Sequence, residues 1–233
     1  MSFTLNKTLT FVATLSLGLF LACGPKESDR VGEAQLCLDK AAQGAAAACM
    51  EKIAGIESKG AYTLRCSAGF IDEGFTQPAR FKAAFDALST NSGNNTEAFM
   101  GVLAFNSKST AVLNKTFASE TYTNCTKSEA KGMMLLGSMA TTATTLMALS
   151  GSFNSGTQLT PAEIATGIQN ALADPASKSA IGAAVATTYT ASCQSGTKAD
   201  AALCTQLDSA LGSININDPA AVGDAILNYW KNH

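Results

Sequence analysis

The sequence predicts an all-α fold: a multi-helix domain of antiparallel helical hairpins, stapled by disulfides. Three observations carry that expectation. Apolar residues recur at helical spacing: Phe81, Ala84, Phe85, Leu88; Ile164, Ile168, Ala171, Leu172; Leu203, Leu207, Ala210, Leu211; and Val222, Ile226, Tyr229, Trp230. Each set falls on one face of a 3.6-residue period. Pro78, Pro161, Pro175 and Pro219 stand where a helix would begin, the last three directly behind Thr160, Asp174 and Asp218, which are good N-caps. Of seven cysteines, the six from Cys37 onward form an even set, as a disulfide framework requires.

Composition sets the outer limits. The chain has 233 residues, 46% apolar and 15% charged, against a usual charged share of about 25%. That length suits one large helical domain or two small ones, and low charge with high apolarity is the reverse of a disorder signature. The net charge of -2 comes with no basic cluster. Nucleic acid is therefore excluded as a partner, since phosphate neutralisation dominates such affinity.

The N-terminus comes first in chain order. One cation, Lys7, precedes an uncharged apolar run over residues 8–22 that ends on Ala22 and Cys23. A charged start, a short apolar run and a small residue at its end define a secretory signal peptide. The run is too short for a comfortable transmembrane helix, which needs about 20 residues. Leu19-Phe20-Leu21-Ala22-Cys23 resembles the lipobox of bacterial lipoproteins, with Phe20 where the commonest pattern has Leu. The resemblance implies a signal peptide over 1–22, a cut before Cys23 and fatty-acyl chains of the palmitate type on that cysteine. It also implies the outer membrane, because Gly24 replaces the aspartate associated with inner-membrane retention. Residues 23–30 then read as a lipidated tether, polar and without periodicity.

Helices are expected near 31–42, 45–55, 60–73, 78–89, 96–105, 109–125, 128–149, 161–173, 175–193, 199–211 and 219–231. Thr160 and Glu163 have capping-box spacing. Breaks are expected at 92–95 and over the Gly- and Ser-rich 151–160. The latter divides an N-terminal helical region, 31–150, from a C-terminal one, 161–233, unless all of 31–233 is one domain. Residues 132–162 carry no charge. Their helix reads as a buried centre rather than a second membrane span, because Ser138, Thr141, Thr142, Thr144 and Thr145 dilute its apolarity. Methionines 133, 134, 139 and 147 read as core packing, and Gly132, Gly137 and Gly182 as close-packing sites. The C-terminal helix is expected to dock through Val222, Ile226, Tyr229 and a largely buried Trp230.

Hairpin geometry gives the disulfides. Cys37 and Cys49 lie six positions either side of a turn at Gln43-Gly44, at equal height if both face the seam. Cys193 and Cys204 flank a loop near 195–199 with the same symmetry, leaving Cys66 with Cys125. The rival arrangement is six free buried thiols, which an oxidising periplasm disfavours.

Catalytic residues are not expected. His233 is the sole histidine and the last residue, which removes Ser/His, Cys/His and His-ligated metal designs. No Cys-x-x-Cys pair is present, and the acidic residues are scattered, with Asp72-Glu73 read as part of a solvated face. Neither cofactor nor metal is expected, and the chain is not read as an enzyme. The favoured role is a lipid-anchored, periplasmic-facing helical module that binds or positions an envelope protein partner. The alternative is a carrier of an apolar ligand in a cavity between helices, and an enzyme using paired carboxylates is third.

Overall fold

A computed structural model describes residues 26–80, 82–83, 95–194 and 201–232, with the side chains of 95, 96, 202 and 203 excepted. Cys23, Gly24, the signal segment, the Phe81–Leu88 stripe and His233 lie outside the described residues. Within them every regular element is helical and no strand occurs.

Helix α1 (Glu27–Leu38) starts the fold. It begins four residues before the expected 31, so residues 27–30 belong to the helix and not to the tether. The reason is long-range. Arg30 donates to the carbonyls of Lys52 and Ala54, at 2.8 and 3.0 Å, while Glu27 and Asp29 place negative charge in the first turn, where the helix dipole favours it. A turn with Gly44 at φ +79° leads into α2 (Ala46–Met50), which continues as a 3₁₀ turn, Glu51–Ile53. Helix α3 (Lys59–Asp72) is capped by the Ser58 hydroxyl. Ala34, Leu38, Ile53, Ile56 and Leu64 make a small core among these three helices.

Next come α4 (Asn95–Leu103), α5 (Ala111–Ser128) and α6 (Lys131–Ser150). Helix α6 is long and apolar enough to cross a membrane, but 61% of its apolar window is buried inside the domain, against α4, α5, α7 and α8. Two of its threonines, polar in an apolar helix, find partners within it. Thr144 and Thr145 donate to the carbonyls of Ala140 and Thr141 four residues back, which satisfies each hydroxyl within the helix. Thr144 also accepts from the Phe105 N–H at 2.8 Å.

Helices α7 (Pro161–Ala173), α8 (Pro175–Tyr189), α9 (Ala201–Leu211) and α10 (Pro219–Asn232) complete the fold. Thr160 and Glu163 form the expected capping box, and Asp174 caps α8. The main core draws Leu146 and Met147 from α6, Ile164 and Ile168 from α7, Ile181 from α8, and Val222, Ile226 and Leu227 from α10. Leu159 joins it, and Gly156 N–H and the Asn106 side chain tie 151–160 to the segment after α4. The segment 151–160 is thus a loop spanning one shared core.

Trp230 packs, partly buried, against the main core beside the fully enclosed Leu227. One local expectation needs correction. Gly132 sits at the solvent-facing start of α6, where an added Cβ would meet nothing within 4 Å; Gly137 and Gly182 do pack closely, against Cys125 and Tyr122 and against α10 respectively.

Candidate functional site

Cysteine chemistry comes first. The structure carries Cys37–Cys49, Cys66–Cys125 and Cys193–Cys204, with Cα separations of 5.6, 4.9 and 5.4 Å. The first pins α1 to α2, the second α3 to α5. The third joins a π-turn, Thr190–Gln194, to α9. The α-helix expected to reach 193 stops at Tyr189, and the wider turn carries Cys193 to its partner. Beside this bond the Tyr189 hydroxyl donates to the Asp208 carboxylate, which holds the phenol above its ordinary pKa. All six cysteines of the described residues are paired.

The acidic pair Asp72-Glu73 is not a solvated face. Asp72 is 6% exposed and Glu73 is 0%. Asp72 accepts from the N–H groups of Ala46 and Ala47 at 2.7 and 3.2 Å, so it caps α2 from α3. Glu73 accepts from Asn106 N–H at 2.6 Å and Ser107 N–H at 3.3 Å, and pairs with Arg80 at 3.0 Å. The Arg80 guanidinium spends its other donors on the carbonyls of Glu73, Val102 and Ala104 and lies 4.1 Å from the Phe75 ring centroid. Burial lowers its pKa while Glu73 opposes that shift. With every donor engaged, this cluster holds three chain segments together and leaves no group for a substrate. The signal was available: Phe70 and Phe75 bracket the pair, an apolar setting for charges in a chain that carries few.

A groove of about 250 Å³ opens between α5, α6 and α8. Lys115, Ser119 and Tyr122 line it from α5; Thr141, Thr142 and Thr145 from α6; and Ala180, Ile181, Ala183, Ala184 and Thr187 from α8. Tyr122 donates to the Ala184 carbonyl at 3.2 Å, Thr141 to the Ala118 carbonyl at 3.0 Å and Thr145 to that of Thr141. Thr142 differs: it is 2% exposed, and its hydroxyl has no hydrogen-bond partner in the protein. The sequence marks Thr141, Thr142 and Thr145 only as polar residues of an apolar helix; the groove itself is not legible there, because its walls come from three helices and only their packing brings the hydroxyls together.

No group of three His, Cys, Asp or Glu side chains among the described residues is placed to hold a metal. No protein-family model, curated protein or solved structure matches the chain.

Proposed function

We propose that this protein is a lipoprotein of the bacterial envelope, tethered through fatty-acyl chains on Cys23, whose disulfide-stapled helical domain serves as an interaction or structural module. The single observation that carries the reading is the cysteine count. Seven cysteines are present and six are joined in three bonds. The seventh is the residue at the lipobox, where a chemistry other than disulfide pairing awaits it. Three bonds also fit an oxidising compartment, which export through the signal segment would supply. The Cys37–Cys49 bond clamps α1, the helix that follows the tether, so the anchor would pull on a crosslinked hairpin. Gly24 supports the outer membrane as the destination.

Metabolic labelling with a fatty-acid analogue tests the anchor. The wild-type protein should take the label and fractionate with membranes, and Cys23→Ser should lose both properties. Label retained by the Cys23→Ser protein would overturn the assignment. The module's partner would be an envelope protein, to be sought by crosslinking in intact cells with the wild-type chain, the released Cys23→Ser form serving as the control.

A further inference from the structure

We propose that the first turn of α5 is a second membrane contact, in which Val112 and Leu113 enter an anionic phospholipid leaflet between Lys108 and Lys115. Among the described residues three large apolar side chains stand well out in solvent: Leu36 at 63%, Val112 at 73% and Leu113 at 51%. Two of the three are adjacent. The helix start does not need them apolar, since the Thr110 hydroxyl caps this turn by accepting from the Leu113 N–H. Asn114, the next residue, is fully buried and ties the turn to the segment before it. It accepts from the Lys108 N–H at 2.9 Å and donates to the Lys108 and Thr110 carbonyls at 3.1 and 2.9 Å. The apolar pair is thus held outward on a pinned corner of the fold.

Charge selects the occupant. Lys115 follows Val112 by three residues, on the same helix face. The Lys108 ammonium lies 4.0 Å from the Phe117 ring centroid, and Phe117 stands one turn after Leu113. Residues 98–119 carry these two lysines and no acid. Glu120 stands two turns past Leu113. Asp174 feels the Lys115 charge, but the Ala176 and Ser177 N–H groups hold its carboxylate. Leu36 has the opposite setting, with Glu33 and Asp39 three residues to either side. Lysines around an apolar pair suit a surface with phosphate outside and hydrocarbon beneath. A protein partner fits less well, because two side chains fall far short of the roughly 800 Å² that each side of a stable interface buries. Each lysine strengthens attachment to an anionic leaflet about fivefold. The contact rests on the proposed tether, which keeps the leaflet close enough for a weak second attachment to count. The tether leaves α1 where Val31 faces Gly60 and Lys59 pairs with Glu129, at the far end of α5. That point lies about 24 Å along α5 from Leu113, so attachment at both ends lays this helix along the bilayer.

The test uses the full-length chain in nanodiscs that contain a nitroxide-bearing lipid, with Val and Leu methyls observed by NMR. Discs of three parts phosphatidylcholine to one of phosphatidylglycerol are compared with discs of phosphatidylcholine alone. In the anionic discs the nitroxide should broaden the Val112 and Leu113 methyls more than those of Leu36, although Leu36 sits on the helix that follows the tether. Without phosphatidylglycerol that broadening should fall about fivefold or more, and the double variant Lys108→Gln, Lys115→Gln should show the same loss in anionic discs. The double variant Lys108→Arg, Lys115→Arg should retain it, which separates charge from local unfolding. Broadening at Leu36 equal to that at Val112 and Leu113, indifference to phosphatidylglycerol, or broadening that survives the Gln changes would each overturn the proposal, as would its loss in the Arg variant. The comparison is among methyls of one chain, whether acyl chains or an uncut signal segment hold it on the disc. Failure here and failure of the Cys23 assignment are therefore separable.

Discussion

Gly182 of α8 lies directly against Gly223 of α10. A Cβ at Gly182 would stand 2.5 Å from the Gly223 nitrogen and 2.8 Å from the Pro219 carbonyl carbon, while one at Gly223 would stand 2.8 Å from the Lys178 carbonyl carbon. Both neighbours are backbone, so neither can turn aside. The two glycines set the distance between the helices that enclose Ile181, Val222 and Ile226. Gly182→Ala should therefore destabilise the domain by about 2–4 kcal/mol, since the helices must separate. Gly132→Ala, with open space around it, should be neutral or stabilise by up to about 1 kcal/mol through helix propensity. Urea unfolding of the two variants side by side checks the contrast; equal effects would deny the close approach.

Glu73 and Arg80 form a buried pair, and their removal should be non-additive. Either Glu73→Gln or Arg80→Met alone strands a buried charge or its donors, at about 3–5 kcal/mol. The double variant should be more stable than the sum of the two predicts, because no unpaired charge remains. A double-mutant cycle by chemical denaturation gives the coupling directly.

The Thr160–Glu163 capping box makes α7 sensitive to acid. The Thr160 backbone N–H, at 2.8 Å, and then its hydroxyl, at 2.9 Å, donate to the Glu163 carboxylate and hold it below its ordinary 4.5. A carboxyl whose pKa is lowered by folding stabilises the folded state above its unfolded pKa, and that contribution fades as pH falls through the folded one. Glu163 is solvent-accessible, so the effect should be a few tenths of a kcal/mol. Glu163→Gln should be slightly less stable than wild type near neutrality and converge with it below 4.5. Thr160→Ala should cost about 1 kcal/mol at neutral pH.

The three disulfides should contribute unequally. Cys66–Cys125 closes a span of 59 residues, and Cys37–Cys49 and Cys193–Cys204 spans of 12 and 11. Chain entropy gives the long bond about 4 kcal/mol and each short one about 3. Paired Cys→Ala variants should follow that order in thermal unfolding. Non-reducing peptide mapping should return the same three linked pairs, and a Cys37 peptide joined to Cys66 would contradict the structure.

Trp230 offers an optical check on α10. Half-buried beside the core, it should emit between the blue of an enclosed indole and the red of a solvated one, and acrylamide should quench it partially. Leu227→Ala, at a fully buried position, should destabilise by about 2–5 kcal/mol; Trp230→Ala should cost less than its size implies.

Sequence alone determined much of this molecule, because the governing forces there are local. Helix periodicity, Pro-led starts and N-caps act within a few residues of each other, so α7, α8 and α10 begin where Pro161, Pro175 and Pro219 say they do. Hairpin symmetry is nearly as local, and it led to Cys37–Cys49 and Cys193–Cys204, leaving Cys66 for Cys125. What tertiary structure decided was the fate of residues whose partners lie far along the chain. Asp72 and Glu73 pass for surface acids until α2 and the segment after α4 bring N–H groups to them. Arg30 pulls the start of α1 earlier through carbonyls more than twenty residues away. The walls of the groove belong to three helices, and whether the Thr142 hydroxyl finds a partner depends on how all three pack. A single side chain encodes its own hydrogen-bonding demand, but only the assembled fold decides what meets it.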